Sequence, residues 1–291
     1  MRTLAVGVAV TIIWLGTNST CPGARGQEQL SIDDVQETVD GKIDDAGDFK
    51  VAYEPTERFA EWENWLKDTG WLEGWVQYFN QQFALPHDVT VRLKECEQEK
   101  PCGESSACYD YQKYEIIMCY HMIDDTARAF ENLHLNEDEL SQAIVASMLW
   151  TFLHETGHAL IALWQLPVLV KEEDVVDQIA TMFLLESGED GEKAALRAAT
   201  EWRQWAQAAD IQHMAFWRIH TLDLQRFYNT ICLLYGKDPK RYASLVHENC
   251  SSGTDACLPQ ERAQWCEAEY QQLQWSWWKL VSPYMKQETG T

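Results

Sequence analysis

A strongly apolar helix that carries two histidines and a glutamate constrains this chain more than any other sequence feature. Residues 144–150 (I-V-A-S-M-L-W) are apolar nearly all round, which indicates a helix inside a hydrophobic core. His154, Glu155 and His158 follow in the pattern H-E-x-x-H, and a buried helix carries such side chains only where they have partners. The four-residue spacing places both imidazoles on one helix face, within reach of a single metal ion. The sequence therefore predicts a core that is built around a polar, metal-binding site.

Glu155 and Gly157 have separate predicted roles in the same helix. Glu155 lies about 100° around the helix axis from His154, where a carboxylate can act as general base on a water molecule without ligating the metal. Gly157 costs about 1 kcal/mol relative to alanine in a helix interior, so the sequence predicts that another element packs closely there. The run Q-L-P at 165–167 then ends the helix.

A third metal ligand is predicted from the next helix. Glu173 stands fifteen residues after His158, and Asp177 follows one helical turn later on the same face. Glutamate as third ligand leaves the fourth position of a zinc ion open, as a catalytic site requires. Asp177 can accept the free N–H of a ligating histidine and fix its tautomer. Glu172 and Asp177 stay open as alternative third ligands, and the predicted cofactor is one zinc ion.

The start of the chain is typical of a signal peptide. Arg2 gives it a basic beginning, residues 4–15 form an apolar run too short to span a bilayer, and small residues precede Gln27. Residues 1–26 are therefore predicted to be a cleaved signal, with a retained anchor as the alternative, and the mature chain is predicted to be secreted or periplasmic.

The mature chain is predicted to contain a leader and two lobes. Residues 27–48 are acidic and lack sustained periodicity, which predicts a flexible leader, with a propeptide as the alternative. Residues 49–170 are expected to form an N-terminal lobe with a sheet and the active-site helix. Residues 171–291 are expected to form a helical C-terminal lobe.

The cysteines predict disulfides rather than a metal site. Eight remain after Cys21 leaves with the signal, and an even number in an exported chain indicates four disulfides. No C-x-x-C pair is present to suggest thiolate ligation of a metal. Local spacing favours these pairs: Cys96 with Cys119, Cys102 with Cys108, Cys232 with Cys266, and Cys250 with Cys257.

The charge of the chain restricts its partners. The formal net charge is −23, and the loss of Arg2 and Arg25 with the signal would make it more negative by two. So acidic a surface argues against nucleic acid and anionic membranes as partners. A peptide or protein substrate is expected instead, with no stable membrane insertion after signal cleavage.

The periodicity of the remaining segments predicts an α+β fold. Strands are expected at 49–53 and 89–93, and a hairpin at 105–110 and 114–120. Helices are expected at 57–83 with a break at 69–70, at 124–133, from 137 onward, and at 172–186, 192–207, 211–235 and 259–284.

Two of these elements supply further candidate site residues. The first arm of the hairpin, with Ser106, Ala107 and Tyr109, is the candidate edge strand that holds an extended substrate by backbone pairing. A hairpin with only a structural role is the alternative. On the helix predicted at 211–235, His220 is the first candidate for stabilising an oxyanion and Tyr228 the second, with ordinary helix-surface pairing as the alternative.

Several motifs together resemble one known family. They are F-A-L-P-H-D-V-T-V, S-A-C-Y-D, I-I-M-C-Y, H-E-T-G-H-A-L-I, L-P-V-L-V-K-E-E-D-V-V-D-Q-I-A, D-L-Q-R-F-Y-N-T-I-C-L-L-Y-G and L-P-Q-E-R-A-Q-W-C-E-A-E-Y. Over residues 49–284 the chain resembles the bacterial family described as "putative metallopeptidases". The resemblance implies a zincin-like fold, with a small mixed sheet and active-site helix followed by a mainly helical part. The E-x-x-x-D step at Glu173 and Asp177 is similar to the gluzincin pattern, in which the glutamate ligates zinc.

These observations together predict an exported zinc metallopeptidase with Glu155 as general base. One alternative is a secreted, non-catalytic binding protein with a zincin-like fold. Another is a hydrolase that acts on cell-wall saccharides through some of the fourteen tryptophans, although tryptophans at helical spacing more often belong to a core.

Overall fold

A computed structural model describes residues 43–96, 102–103, 105–208, 216–217, 219–248, 250 and 257–286. The predicted signal peptide, and the predicted leader as far as residue 42, lie outside the described residues. At the end of that leader, the backbone N–H groups of Ala46 and Gly47 donate to the carbonyl of Leu85 at 2.9 and 2.8 Å. The predicted division of the chain into an N-terminal and a C-terminal lobe near residue 170 stays a prediction.

The described residues form an α+β fold that is mainly helical. The strands are β1 (Phe49–Tyr53), β2 (Val89–Lys94), β3 (Ala107–Asp110), β4 (Glu115–Cys119), β5 (Val246–His247) and β6 (Leu258–Pro259). The helices are α1 (Ala60–Thr69), α2 (Trp71–Gln82), α3 (Met122–Phe130), α4 (Glu137–Trp164), α5 (Glu172–Glu186), α6 (Glu189–Ala208), α7 (Asp223–Lys237) and α8 (Gln260–Val281).

The larger sheet is small and mixed, as the sequence predicts. Its strands lie in the order β1-β2-β4-β3, with β1, β2 and β4 parallel and β3 antiparallel to β4. Val89, Val91 and Leu93 are buried while the residues between them are partly exposed, because alternate side chains of a strand point to opposite faces. The prediction that β3 is an edge strand is confirmed within the described sheet.

Helix α4 is the central helix of the core. Asn136 and Glu139 form a reciprocal capping box at its start, which satisfies backbone N–H groups that the first turn leaves unpaired. Its second half is buried on almost every side, and it packs against α5 and α6. The sequence prediction of a buried helix that carries the H-E-x-x-H motif is confirmed.

The helix predicted over 211–235 is confirmed from Asp223 onward and is wrong for the described residues before it. Residues 216–217 and 219–222 are not helical, and α7 begins at Asp223. Leu222 has extended backbone angles (φ −60°, ψ 141°), and the hydroxyl of Thr221 donates to Asp174 at the start of α5. This tertiary contact outweighs the local helix preference, and it places His220 on a non-helical segment beside α5.

All four predicted disulfides are confirmed: Cys96–Cys119, Cys102–Cys108, Cys232–Cys266 and Cys250–Cys257. In the part of the chain that the structure describes, no helix combines the length and the apolar character that crossing a bilayer requires.

Candidate metal centre

The two histidines of α4 converge with a glutamate of α5. The rings of His154 and His158 are 5.0 Å apart, and both residues are buried. Oε2 of Glu173 lies 3.3 Å from Nε2 of His154 and 3.4 Å from Nε2 of His158. Ligand atoms of these three residues all lie within 4.8 Å of one another, so the group could hold a metal ion.

The carboxylate of Glu173 fits a metal better than it fits a hydrogen-bond network. Its Oε2 atom is buried and has no hydrogen bond, although a third imidazole nitrogen, Nε2 of His220, also lies 3.0 Å away. A buried carboxylate oxygen without a hydrogen bond is costly. Four-coordinate zinc, with bonds of about 2.0–2.2 Å, separates neighbouring ligand atoms by roughly 3.3–3.6 Å. The measured separations from His154 and His158 fall at the lower end of that range.

Two further acids of α5 are hydrogen-bonded to the Nδ1 atoms of the same imidazoles, on the side away from Glu173. Oδ1 of Asp177 lies 2.8 Å from Nδ1 of His154, and Oε1 of Glu172 lies 2.6 Å from Nδ1 of His158. In a neutral imidazole whose Nδ1–H donates to a carboxylate, Nε2 is the unprotonated nitrogen that can ligate a metal. Glu172 and Asp177 therefore occupy positions outside the ligand group, and Glu173 is the acid on its inner side.

Arg226 of α7 completes the surroundings of Asp177. Its Nε and a terminal nitrogen donate to the two oxygens of Asp177 at 2.7 and 2.8 Å, and its guanidinium lies 3.6 Å from the ring centre of Trp202. Burial alone would raise the pKa of Asp177, but the charge of Arg226 and the bond to His154 lower it to about 2. The guanidinium of Arg226 is thus engaged by the largely buried carboxylate of Asp177.

Tyr111 is a site residue that sequence reasoning missed. Its hydroxyl donates to Oε1 of Glu172 at 2.7 Å and lies 3.3 Å from Nδ1 of His158. The bond from His158 is the main cause that lowers the pKa of Glu172, and Tyr111 contributes too. Tyr111 stands at the turn between β3 and β4, far from the histidines in sequence, and no local motif marks it.

Burial and charge act in opposite directions on the central groups. Burial alone would lower the pKa of His158, but its hydrogen bond to Glu172 and the nearby carboxylate of Glu173 raise the pKa to about 10. The pKa of His154 is raised in the same way by Asp177 and Glu173, against the effect of burial. Burial raises the pKa of Glu155, although both imidazoles act in the opposite direction.

A cleft of about 690 Å³ opens beside these residues. Ser106 and Ala107, at the start of the edge strand, line it together with His154 and Glu155 of α4. Tyr109 does not line the cleft: it is buried, with its ring 4.8 Å from that of Tyr111. Two of the three residues that the sequence predicts for substrate binding therefore face this cleft.

The structure separates the two candidates for stabilising an oxyanion. His220 lines the cleft, and its ring lies 6.2 Å from that of His154 and nearly parallel to it. Tyr228 is not among the residues that line the cleft, and its ring lies 5.1 Å from that of Phe227. It stands two positions after Arg226 on α7, about 200° further round the helix. Of the two, His220 is therefore the residue that the structure brings to the cleft.

The comparisons with known proteins give one match. A protein-family model described as "Putative metallopeptidase" matches residues 53–281, a range that includes every residue of the metal centre. No curated protein and no solved structure matches the chain.

Proposed function

Because the chain belongs to the family described as "Putative metallopeptidase", we propose that it is an exported, zinc-dependent metallopeptidase with a zincin-like fold that hydrolyses peptide bonds. The observation that carries the proposal is the environment of Glu173. Its buried Oε2 has no hydrogen bond and is surrounded by imidazole nitrogens of His154, His158 and His220 at 3.0–3.4 Å. A set of two histidines and one glutamate is a common ligand set of catalytic zinc.

The ligand group and its outer partners have distinct roles in this proposal. His154, His158 and Glu173 hold one zinc ion, which when bound supplies a Lewis acid that activates water and polarises a carbonyl group. Asp177 and Glu172 keep the ligating imidazoles in the required tautomer and orientation. The bidentate bond from Arg226 fixes Asp177 in turn.

Glu155 is the general base of the proposed reaction. It lines the cleft next to His154, and burial raises its pKa above that of an exposed glutamate. A carboxylate with a raised pKa can take a proton from water near neutral pH and then return it to the leaving amine. The position of Glu155 supports catalysis over metal-dependent binding alone, because a binding protein has no need for a buried proton carrier there.

Strand β3 and His220 are proposed to act on the substrate itself. One edge of β3 pairs with β4, and in the described sheet β3 has no partner on its other edge. Ser106 and Ala107 line the cleft at the start of this strand, where an extended peptide can add as a further strand. His220 lines the cleft beside the ligand group and can donate a hydrogen bond to the oxygen that gains negative charge during attack.

The disulfides support the proposal that the protein is exported. Four disulfides in the described part of the chain are typical of an oxidising compartment, outside the cell or in the periplasm. The net charge of −23 supports a peptide or protein as the partner rather than a nucleic acid.

The test is peptide cleavage by the purified, oxidised chain with and without its metal. We expect one zinc per chain, cleavage of peptides from a mixed library, and loss of cleavage after chelation. Glu155→Gln keeps the shape of the side chain but removes the base, and it should lower kcat by about 10²- to 10⁴-fold. Zinc content and thermal midpoint should stay unchanged. Full activity of this variant would refute the role of Glu155, and a wild-type chain that binds no metal would refute the proposed function.

A further inference from the structure

A second cavity, of about 550 Å³, lies between α2, α5 and α8. Its lining is mainly aromatic and includes Trp71, Trp75, Tyr78, Trp277 and Trp278. One acidic residue, Glu186, also lines it. Glu186 stands thirteen residues after Glu173 on α5, so the two carboxylates are about 20 Å apart along the helix. The cavity is therefore separate from the metal centre.

Two glycines on the wall formed by α2 leave room for a ligand. Gly70 and Gly74 both line the cavity one helical turn apart, and a Cβ added to either would have no neighbouring atom within 4 Å. Gly74 lies inside α2, where glycine costs about 1 kcal/mol relative to alanine. Packing gives no reason for a glycine at this position, whereas an open cavity does.

Two pairs of the aromatic rings that line the cavity meet at steep angles. The rings of Trp75 and Tyr78 are 5.9 Å apart with 80° between their planes, and those of Phe183 and Trp277 are 5.6 Å apart at 82°. Aromatic faces carry negative potential and attract cations, above all when several rings surround one group. In the described part of the chain, no lysine or arginine lies over a ring of this cavity, although Arg226 lies over Trp202 elsewhere.

Glu186 places a negative charge at the same cavity. Its Oε1 accepts hydrogen bonds from the hydroxyl of Tyr270 and from Nε2 of Gln274 at 3.2 Å, both uncharged donors. No ion pair joins Glu186 to a basic side chain among the described residues. Burial raises the pKa of Tyr78, and the charge of Glu186 raises it further, which indicates that these two groups lie close together.

We propose that this cavity binds a quaternary ammonium group of the choline type. The aromatic walls attract the charge through their faces, and the carboxylate of Glu186 balances it. A primary ammonium is more strongly hydrated and would need more hydrogen-bond acceptors than this lining offers. A sugar would likewise need several polar partners, whereas Glu186, Ser187 and the hydroxyl of Tyr78 are the main polar groups in the lining.

The first experiment measures the contribution of the positive charge. The purified full chain is titrated with choline and with 3,3-dimethyl-1-butanol, in which carbon replaces the quaternary nitrogen without its charge. Binding is followed through ligand-observed NMR. We expect choline to bind at least about tenfold more tightly than the alcohol. Equal binding of both would show a merely apolar pocket, and it would overturn the proposal, as would binding of neither.

Two variants locate the site. Glu186→Gln removes the charge but keeps an oxygen that can accept from Tyr270 and Gln274, and it should weaken choline binding by about tenfold. Gly74→Leu puts a side chain into the open space on the wall and should abolish binding with no loss of thermal stability. Unchanged choline binding in both variants would overturn the proposal.

Control substitutions outside the cavity test whether a loss of choline binding is specific to the proposed site. Glu267→Gln changes another exposed helical glutamate that accepts from a glutamine, and Trp275→Ala removes an exposed tryptophan outside the cavity lining. Neither should change the affinity for choline, and a loss equal to that of Glu186→Gln in either would contradict the assigned location.

A final comparison identifies the source of the ammonium group. Sedimentation with phosphatidylcholine vesicles that depends on Glu186 would assign the site to a lipid headgroup. Binding of free choline without sedimentation would assign it to a small soluble ligand. Zinc content should stay unchanged in Glu186→Gln, because this site is distinct from the metal centre.

Discussion

A Cβ atom built on Gly157 would lie 2.9 Å from Cγ1 of Val176 and 3.3 Å from its Cα atom. Gly157 stands between His154 and His158 on α4, and Val176 stands between Glu173 and Asp177 on α5. The close packing predicted at Gly157 is thereby confirmed. This contact allows the acids of α5 to approach the imidazoles of α4, so it limits the dimensions of the candidate metal centre.

Gly157→Ala should weaken zinc binding by about tenfold or more. Alanine favours the helix by about 1 kcal/mol, but its methyl group collides with a stiff β-branched side chain, so α5 must shift and carry Glu173 with it. Zinc affinity is measured by competition with a coloured chelator. Val176→Ala in the same chain should recover part of the affinity, since it removes Cγ1, the closest atom, but leaves Cβ at 3.0 Å.

Gly74→Ala is the matched control for this substitution. It makes the same change inside a helix, but nothing lies within 4 Å of the new methyl group. It should leave zinc affinity unchanged and raise the free energy of unfolding slightly. An equal loss of zinc in both variants would contradict a specific role of the contact between Gly157 and Val176.

Adjacent glutamates at the start of α5 should respond differently to the same substitution. Glu173→Gln removes the proposed third ligand, and we expect no stoichiometric zinc after dialysis. Glu172→Gln keeps an oxygen that can accept from Nδ1 of His158, so zinc should remain bound with an affinity reduced by about tenfold. Metal analysis of both variants makes the comparison, and the reverse result would make Glu172 the ligand.

His220→Ala should reduce turnover while the zinc stays bound. A donor to a developing oxyanion contributes about 10²- to 10³-fold to kcat, and His220 lies outside the three-residue ligand group. Kinetics with a cleaved peptide and zinc analysis of the same preparation test this. The control is His87→Ala, whose ring stacks on Tyr114. Loss of zinc from His220→Ala alone would show that His220 is a fourth ligand.

Removal of the metal should make stability depend on pH in the alkaline range. The pKa of His158 is raised to about 10 by Glu172 and Glu173, against the effect of burial. A protonated His158 therefore stabilises the metal-free fold fully below pH 6.5, and this contribution is lost as pH rises through about 10. We expect the thermal midpoint of the metal-free protein to fall across this window.

The zinc-loaded protein should lack that fall, because zinc replaces the proton on the imidazole. Calorimetric titration in buffers of different ionisation enthalpy should show proton release when zinc binds near neutral pH. Zinc binding without proton release would contradict the protonated state of the metal-free site.

The predictions that held depend on short-range geometry. The spacing of His154 and His158 fixes their common face on α4, and the step from Glu173 to Asp177 does the same on α5. The disulfide pairs also followed from local spacing. Helical and strand periods repeat over few residues, so such relationships can be deduced without knowledge of the fold.

The predictions that failed depend on contacts between distant elements. Residues 219–222 have helical periodicity, but the bond from Thr221 to Asp174 and the extended backbone of Leu222 end the helix before Asp223. The partners of Asp177 and Glu172, namely Arg226 and Tyr111, are also far away in sequence. Local preference is weak beside such tertiary contacts, so only the folded arrangement identifies them.

The two disulfides of the first half of the chain are attached to strands β3 and β4, next to Ser106 and Ala107 of the cleft lining. Cys108 lies within β3 and is bonded to Cys102, while Cys119 ends the neighbouring strand β4 and is bonded to Cys96. The proposed zinc ligands, in contrast, lie on α4 and α5, which these covalent links do not join. Reduction of these disulfides should therefore weaken peptide binding before the metal is lost. We expect KM to rise while zinc is retained. In a reducing environment, the chain would then keep its metal while the proposed cleavage slows.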